Sequence, residues 1–100
     1  MNNGAKMDAT RTVEEKKAEL LLQLTKSYGI IRLACRRARV GPTMFYEYKN
    51  SDPVFAFKVN EIVDSFVDLA ETRLYDMVLT GDRAAIMFYL KAKGKGRGYM

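Results

Sequence analysis

Apolar residues recur along this chain at helical intervals. Leu20, Leu21, Leu24 and Tyr28 share one stripe while Lys16, Lys17, Gln23 and Lys26 stay polar, which predicts a first helix over about residues 13–28. Thr12-Val13-Glu14-Glu15 has the pattern of a capping box at its start, and Gly29 can take the left-handed conformation that ends a helix. A second, short helix is expected from Ile31 to Ala38, with Ile31, Ala34, Cys35 and Ala38 as a narrow inner face whose mostly small side chains permit close packing. Gly41-Pro42 restarts the chain, because proline is tolerated in a first helical turn and glycine is an acceptable cap. The third helix then covers Pro42 to Lys49, with Met44, Phe45 and Tyr48 on one side and Thr43, Tyr46, Glu47, Lys49 and Asn50 mostly outward.

Asn50-Ser51-Asp52-Pro53 stops that helix and caps the next, and no breaker follows until Gly81. A helix of that span runs to about 40 Å at 1.5 Å per residue. Its stripe of Phe55, Val59, Ile62, Val63, Phe66, Leu69, Ala70, Leu74, Met77 and Val78 is longer than one small core requires, so part of it meets either other copies of the chain or a helix hairpin closed within the monomer. Gly81-Asp82 starts a last helix that is apolar nearly all round from Ala84 to Leu90, and it is expected to be buried within or between chains. Beyond it, cations alternate with glycine. The expected architecture is all-α: a trihelical head containing a helix-turn-helix, then a long helix and a shorter antiparallel one for oligomerisation. The boundaries are a flexible arm at 1–11, the head at 12–51, the oligomerisation region at 52–92 and a flexible basic tail at 93–100.

Composition narrows the function. The chain of 100 residues has no histidine and one cysteine, so the commonest general base, an intramolecular disulfide and a thiol cluster for zinc are all missing. The expectation is a protein that is not an enzyme and takes no cofactor, metal or small-molecule substrate. Glu61, Asp64, Asp68 and Glu71 read as a solvated helix face, and Cys35 reads as a small core residue. No stretch is apolar and long enough to span a membrane, and a soluble, cytoplasmic protein is expected.

Charge is distributed unevenly behind a net value of +5: residues 1–50 carry +5, residues 51–90 carry −4 and residues 91–100 carry +4. The basic front half suggests a polyanion as partner. Within it, Lys26, Arg32, Arg36, Arg37 and Arg39 form the densest cationic stretch, and they coincide with two short helices joined by a tight turn. In a helix-turn-helix the first of these crosses the phosphate backbone and the second enters the major groove of double-stranded DNA. The expected DNA-binding residues are therefore Lys26, Arg32, Arg36, Arg37, Arg39, Thr43, Tyr46 and Lys49. The outward residues of the third helix offer few bidentate contacts to bases, so modest specificity is expected. Glu47 either accepts from a cytosine amino group or is merely solvated. Tyr46 either reaches a phosphate or a thymine methyl, or packs at the domain edge.

Leu33-Ala34-Cys35-Arg36-Arg37-Ala38-Arg39-Val40 with Gly41 to Lys49, Asp52-Pro53-Val54-Phe55, and Gly81-Asp82 through Tyr89-Leu90-Lys91 to Gly94, Arg97, Gly98 and Tyr99 resemble, in this order, the small terminase subunits of tailed bacteriophages. The resemblance implies a non-enzymatic subunit that recognises viral DNA at the start of genome packaging in the cytoplasm of the infected bacterial host. It also implies a homo-oligomeric ring formed through the helices after the head, here by Phe55, Val59, Ile62, Phe66, Leu69, Leu74 and Met77, and transfer of DNA to the terminase large subunit. By resemblance the tail lies near the large subunit; its composition equally suits DNA binding or a disordered end. Many relatives continue beyond the position of Tyr99, which implies a shortened or absent large-subunit contact. Arg39 stands where the motif usually has glycine, so it must adopt a positive φ or the turn must shift. The rival readings are a helix-turn-helix transcriptional regulator acting as a dimer and a helical scaffold that binds only protein.

Overall fold

The computed structural model describes residues 10–98, and it is all-helical. Among the described residues five α-helices follow one another from Val13 on: α1 (Val13–Lys26), α2 (Ile31–Ala38), α3 (Pro42–Ser51), α4 (Pro53–Leu79) and α5 (Arg83–Lys93), with a 3-10 turn at Lys95–Arg97. Among the described residues there is no strand. Residues 1–9, most of the expected arm, and Tyr99 and Met100 lie outside the described residues.

Local chemistry accounts for each boundary. At the start of α1 the Glu15 amide donates to the Thr12 hydroxyl at 3.0 Å and the Thr12 amide to the Glu15 carboxylate at 2.9 Å, which is the reciprocal capping box. α1 stops at Lys26, two residues before the expected end, because Tyr28 itself enters the left-handed region with φ of 60°. The Tyr28 amide bonds the Thr25 carbonyl and the Gly29 amide bonds the Leu24 carbonyl, a Schellman arrangement that satisfies carbonyls the helix leaves open. Gly29 follows with φ of 79°, and a Cβ there would lie 3.3 Å from Phe66 Cδ2 and 3.4 Å from Val63 Cα. Glycine is therefore required twice over, for its dihedral and for the approach of this turn to α4.

Asp52 begins α4 by accepting from the Val54 and Phe55 amides, both at 3.1 Å through Oδ1. Its other oxygen, Oδ2, accepts from Lys17 Nζ at 2.8 Å, and that ammonium also lies 5.3 Å from the centre of the Tyr48 ring. The hydrogen bond from Lys17, seconded by the Phe55 amide, holds the Asp52 carboxyl below the usual range, and the same bond raises Lys17. α1, α3 and α4 are thus tied together at one polar node.

Residue packing divides the chain into two units, the first ending at Phe66 and the second beginning at Val67, inside α4. The first unit holds the core: Leu20 and Leu24 of α1, Ala34, Cys35 and Ala38 of α2, Val40 of the turn, Phe45 and Tyr48 of α3, and Phe55 and Val59 of α4. Phe45 meets Phe55 edge-on with ring centres 5.8 Å apart, and Tyr48 meets Phe55 at 6.2 Å. Alanine and cysteine on α2 let that helix lie close to α1, as the narrow inner face predicts. Met44, expected to face inward with Phe45 and Tyr48, is exposed instead.

This core corrects part of the expected oligomerisation stripe. Phe55 and Val59 are fully enclosed within their own chain and have no surface to offer another copy; Ile62 and Val63 pack partly against the same core, and Phe66 stacks edge-on with Tyr28 at 6.0 Å. The head needs the first turns of α4 because three short helices of this size bury too little apolar surface alone.

The second unit contains the rest of α4, its turn, and α5. Gly81, with φ of 88°, and the bonds from the Gly81 and Asp82 amides to the Val78 and Met77 carbonyls end α4 in another Schellman arrangement. Asp82 caps α5 by accepting from the Ala85 amide at 2.8 Å. Ala85 is the one buried hydrophobic residue among the described residues of this unit, and Met87 and Phe88 are 57% and 60% exposed. The expectation that the last helix is buried does not hold within the chain. Lys93, the first residue of the expected tail, is the final residue of α5, and Lys95–Arg97 forms a 3-10 turn.

Candidate nucleic-acid interface

α2 carries no acidic residue, and its arginines fall on two different sides. Arg32, Arg36 and Arg39 follow one another at helical intervals and are all exposed. Together with Cys35, Val40, Gly41 and Pro42 they line an open notch of about 390 Å³ at the turn from α2 to α3. The notch thus gathers like charges, and the Arg32–Arg36 pair, four residues apart on the helix, repels by about 0.2–0.5 kcal/mol. A polyanion removes that repulsion.

Backbone geometry sets the turn. Arg39 takes φ of 59° and ψ of 43°, the positive φ that is one of the two expectations for this position, at a cost that glycine would not bear. The Arg39 amide bonds the Arg36 carbonyl at 3.3 Å and the Val40 amide bonds the Cys35 carbonyl at 3.1 Å, closing α2 as Tyr28 and Gly29 close α1. Arg11 fixes the same turn from outside: its Nη1 donates to the Ala38 carbonyl at 2.8 Å and its Nη2 to the Arg39 carbonyl at 3.1 Å. The sequence reading assigned Arg11 to the flexible arm. A basic residue just before a cap carries no signal of a partner so far along the chain.

α3 starts at the notch without a side-chain cap, Gly41 having none to offer. Its first amides are left for solvent or an anion. Thr43, Tyr46, Glu47 and Asn50 lie on one exposed face of α3, opposite the buried Phe45 and Tyr48, while Lys49 is half-buried at its flank. Tyr46 is exposed and meets Phe45 edge-on, with ring centres 5.1 Å apart, so it has both an anchoring contact and a free face.

The expected DNA-binding set thus separates. Arg32, Arg36 and Arg39 converge, and Thr43 and Tyr46 share the outer face of the helix that begins beside them. Arg37 is exposed but points to the other side, where its Nη1 donates to Ser27 Oγ at 3.3 Å. Ser27 is fully buried, and Arg37 supplies a donor to its hydroxyl oxygen at the end of α1. Lys26, exposed in the last turn of α1, and Lys49 do not line the notch. Cys35 lies at the floor of the notch, and burial pushes its thiol up, away from the reactive thiolate.

Among the described residues no group of three or more His, Cys, Asp or Glu side chains is placed to hold a metal ion, and no helix is long and apolar enough to cross a membrane. No family model, no curated protein and no solved structure matches the chain. The resemblance to small terminase subunits therefore rests on the residues quoted for it.

Proposed function

We propose that α2, the turn at Arg39 and α3 form a helix-turn-helix, and that the protein is a non-enzymatic factor that binds double-stranded DNA. The observation that carries this reading is the convergence of Arg32, Arg36 and Arg39 on one notch beside the uncapped start of α3. In this docking the arginines neutralise phosphates and release counterions, which supplies most of the affinity. Thr43 and Tyr46 face the groove and contribute modest discrimination. Arg37 contributes to the stability of the head rather than to DNA contact.

The same reading extends to viral genome packaging: a terminase small subunit that assembles as a homo-oligomeric ring in the cytoplasm of the infected bacterial host and presents DNA to the large ATPase and nuclease subunit. Support for assembly comes from the second unit, where Leu69, Met77, Leu79, Met87 and Phe88 are all exposed. Large apolar side chains left in water in this number are ones that protein contact would cover.

The test is fluorescence anisotropy on a short labelled duplex across a salt series. Replacing Arg32, Arg36 and Arg39 together with Gln should weaken binding to every sequence and lower the slope of log affinity against log salt by about 2–3. Arg37→Gln should leave that slope unchanged while lowering the melting temperature. An unchanged slope in the triple variant sinks the proposed face.

A further inference from the structure

In the second unit α4 and α5 enclose an open groove of about 760 Å³. Its apolar surfaces come from Leu74 and Tyr75 on α4 and from Phe88 and Tyr89 on α5, with Tyr75 and Tyr89 ring centres 6.2 Å apart. Its rim on α4 is acidic, through Asp68, Glu71 and Asp76. Asp76 approaches Arg73 only at 3.9 Å, and Asp68 and Glu71 have no ion pair among the described residues. Aromatic faces beside carboxylates make a chemical environment for Lys and Arg, whose stems lie on the rings while their charged ends meet the acids.

A matching segment is on the same chain. Lys91, Lys93, Lys95 and Arg97 are all exposed, none has an ion pair among the described residues, and no acid interrupts them. Ala92 and Lys93, in the last turn of α5, line the groove itself, whereas Lys91, Lys95 and Arg97 do not. The turn at Lys95–Arg97 then carries the chain elsewhere, and Arg97 lines a separate cleft with Tyr89, Leu90, Lys93 and Gly94. The groove and the Lys95–Arg97 turn are thus adjacent, but neither cation of the turn lines the groove of its own chain.

We propose that the α4–α5 groove is the docking site for the Lys95–Arg97 segment of a second copy of this chain, so that copies associate head-to-tail, the base of one on the acid of the next. The proposal rests on the reading that the protein self-associates, and it supplies the contact: a charged, salt-sensitive one rather than the buried stripe. It also explains why the acids Asp68 and Glu71 and the exposed Phe88 share one place.

The test is sedimentation velocity on the full chain and two charge-reversed variants, Asp68→Lys/Glu71→Lys and Lys95→Glu/Arg97→Glu, with circular dichroism as a check of helicity. Each variant alone should self-associate at least about tenfold more weakly, because reversal puts like charges together. An equimolar mixture of the two should regain assembly. The neutral pair Asp68→Asn/Glu71→Gln, which keeps the helix shape, should show an intermediate loss. Assembly of either reversed variant as strong as the parent's, or a mixture that stays dissociated, overturns the proposal while leaving self-association intact. A parent chain that is monomeric at every salt overturns both, and neither outcome bears on DNA binding by the head.

Discussion

Arg39 sits in a backbone conformation that costs an L-residue about 1–2 kcal/mol, and the residues around it show how that cost is offset. Two amide bonds close the helix behind it, and the Arg11 guanidinium holds the Ala38 and Arg39 carbonyls. Glycine would be the better choice for stability alone. Arg39→Gly should therefore raise stability by about 0.5–1 kcal/mol in urea denaturation, the relief of strain being partly cancelled by a freer unfolded chain. The same change should weaken duplex binding and lower its salt slope by about 1, because one phosphate contact is lost. Opposite signs in the two measurements identify a strained residue kept for its charge; a variant that is both more stable and equally good at binding would assign Arg39 no role in the notch.

Between elements, the Lys17–Asp52 pair has the largest reach, since it joins α1 to the cap of α4 and leans on Tyr48 of α3. Its pH dependence has a definite sign. Asp52 is lowered by the Lys17 hydrogen bond first, so its stabilisation is fully present above the ordinary carboxylate value of 3.8 and is lost as pH falls from there through the lower folded value. Lys17 is raised, so its share is fully present below 10.5 and is lost as pH rises through the higher folded value. Lys17→Met should accordingly flatten the acid limb of thermal stability against pH below the ordinary carboxylate range. An acid limb as steep as the parent's would mean that other carboxylates set it. Most helix boundaries were legible because they depend on neighbours in sequence: the Thr12 box, Gly41-Pro42, Asp52-Pro53 and Gly81-Asp82 each act within four residues. What was not legible depends on distant partners. The turn after α1 lies against Val63 and Phe66 of α4, Arg11 bonds the carbonyls at the end of α2, and Phe55 and Val59 belong to the head's core. The notch was half legible: the periodicity of α2 separates Arg37 from Arg32, Arg36 and Arg39, but only the buried Ser27 hydroxyl explains where Arg37 goes.

For the whole molecule, two surfaces of different chemistry lie in two units: a basic notch in the first, and in the second an acidic, aromatic groove accompanied by a basic segment. A factor that binds DNA with one unit and its own copies with the other has this division of charge. The most direct test is the solution mass of the full chain by light scattering, alone and with a short duplex, at low and moderate salt. The account predicts an assembly larger than a dimer that binds the duplex at low salt and releases it as salt rises. A DNA-binding dimer would instead fit a regulator, and a chain that binds no duplex at any salt would contradict the central claim outright.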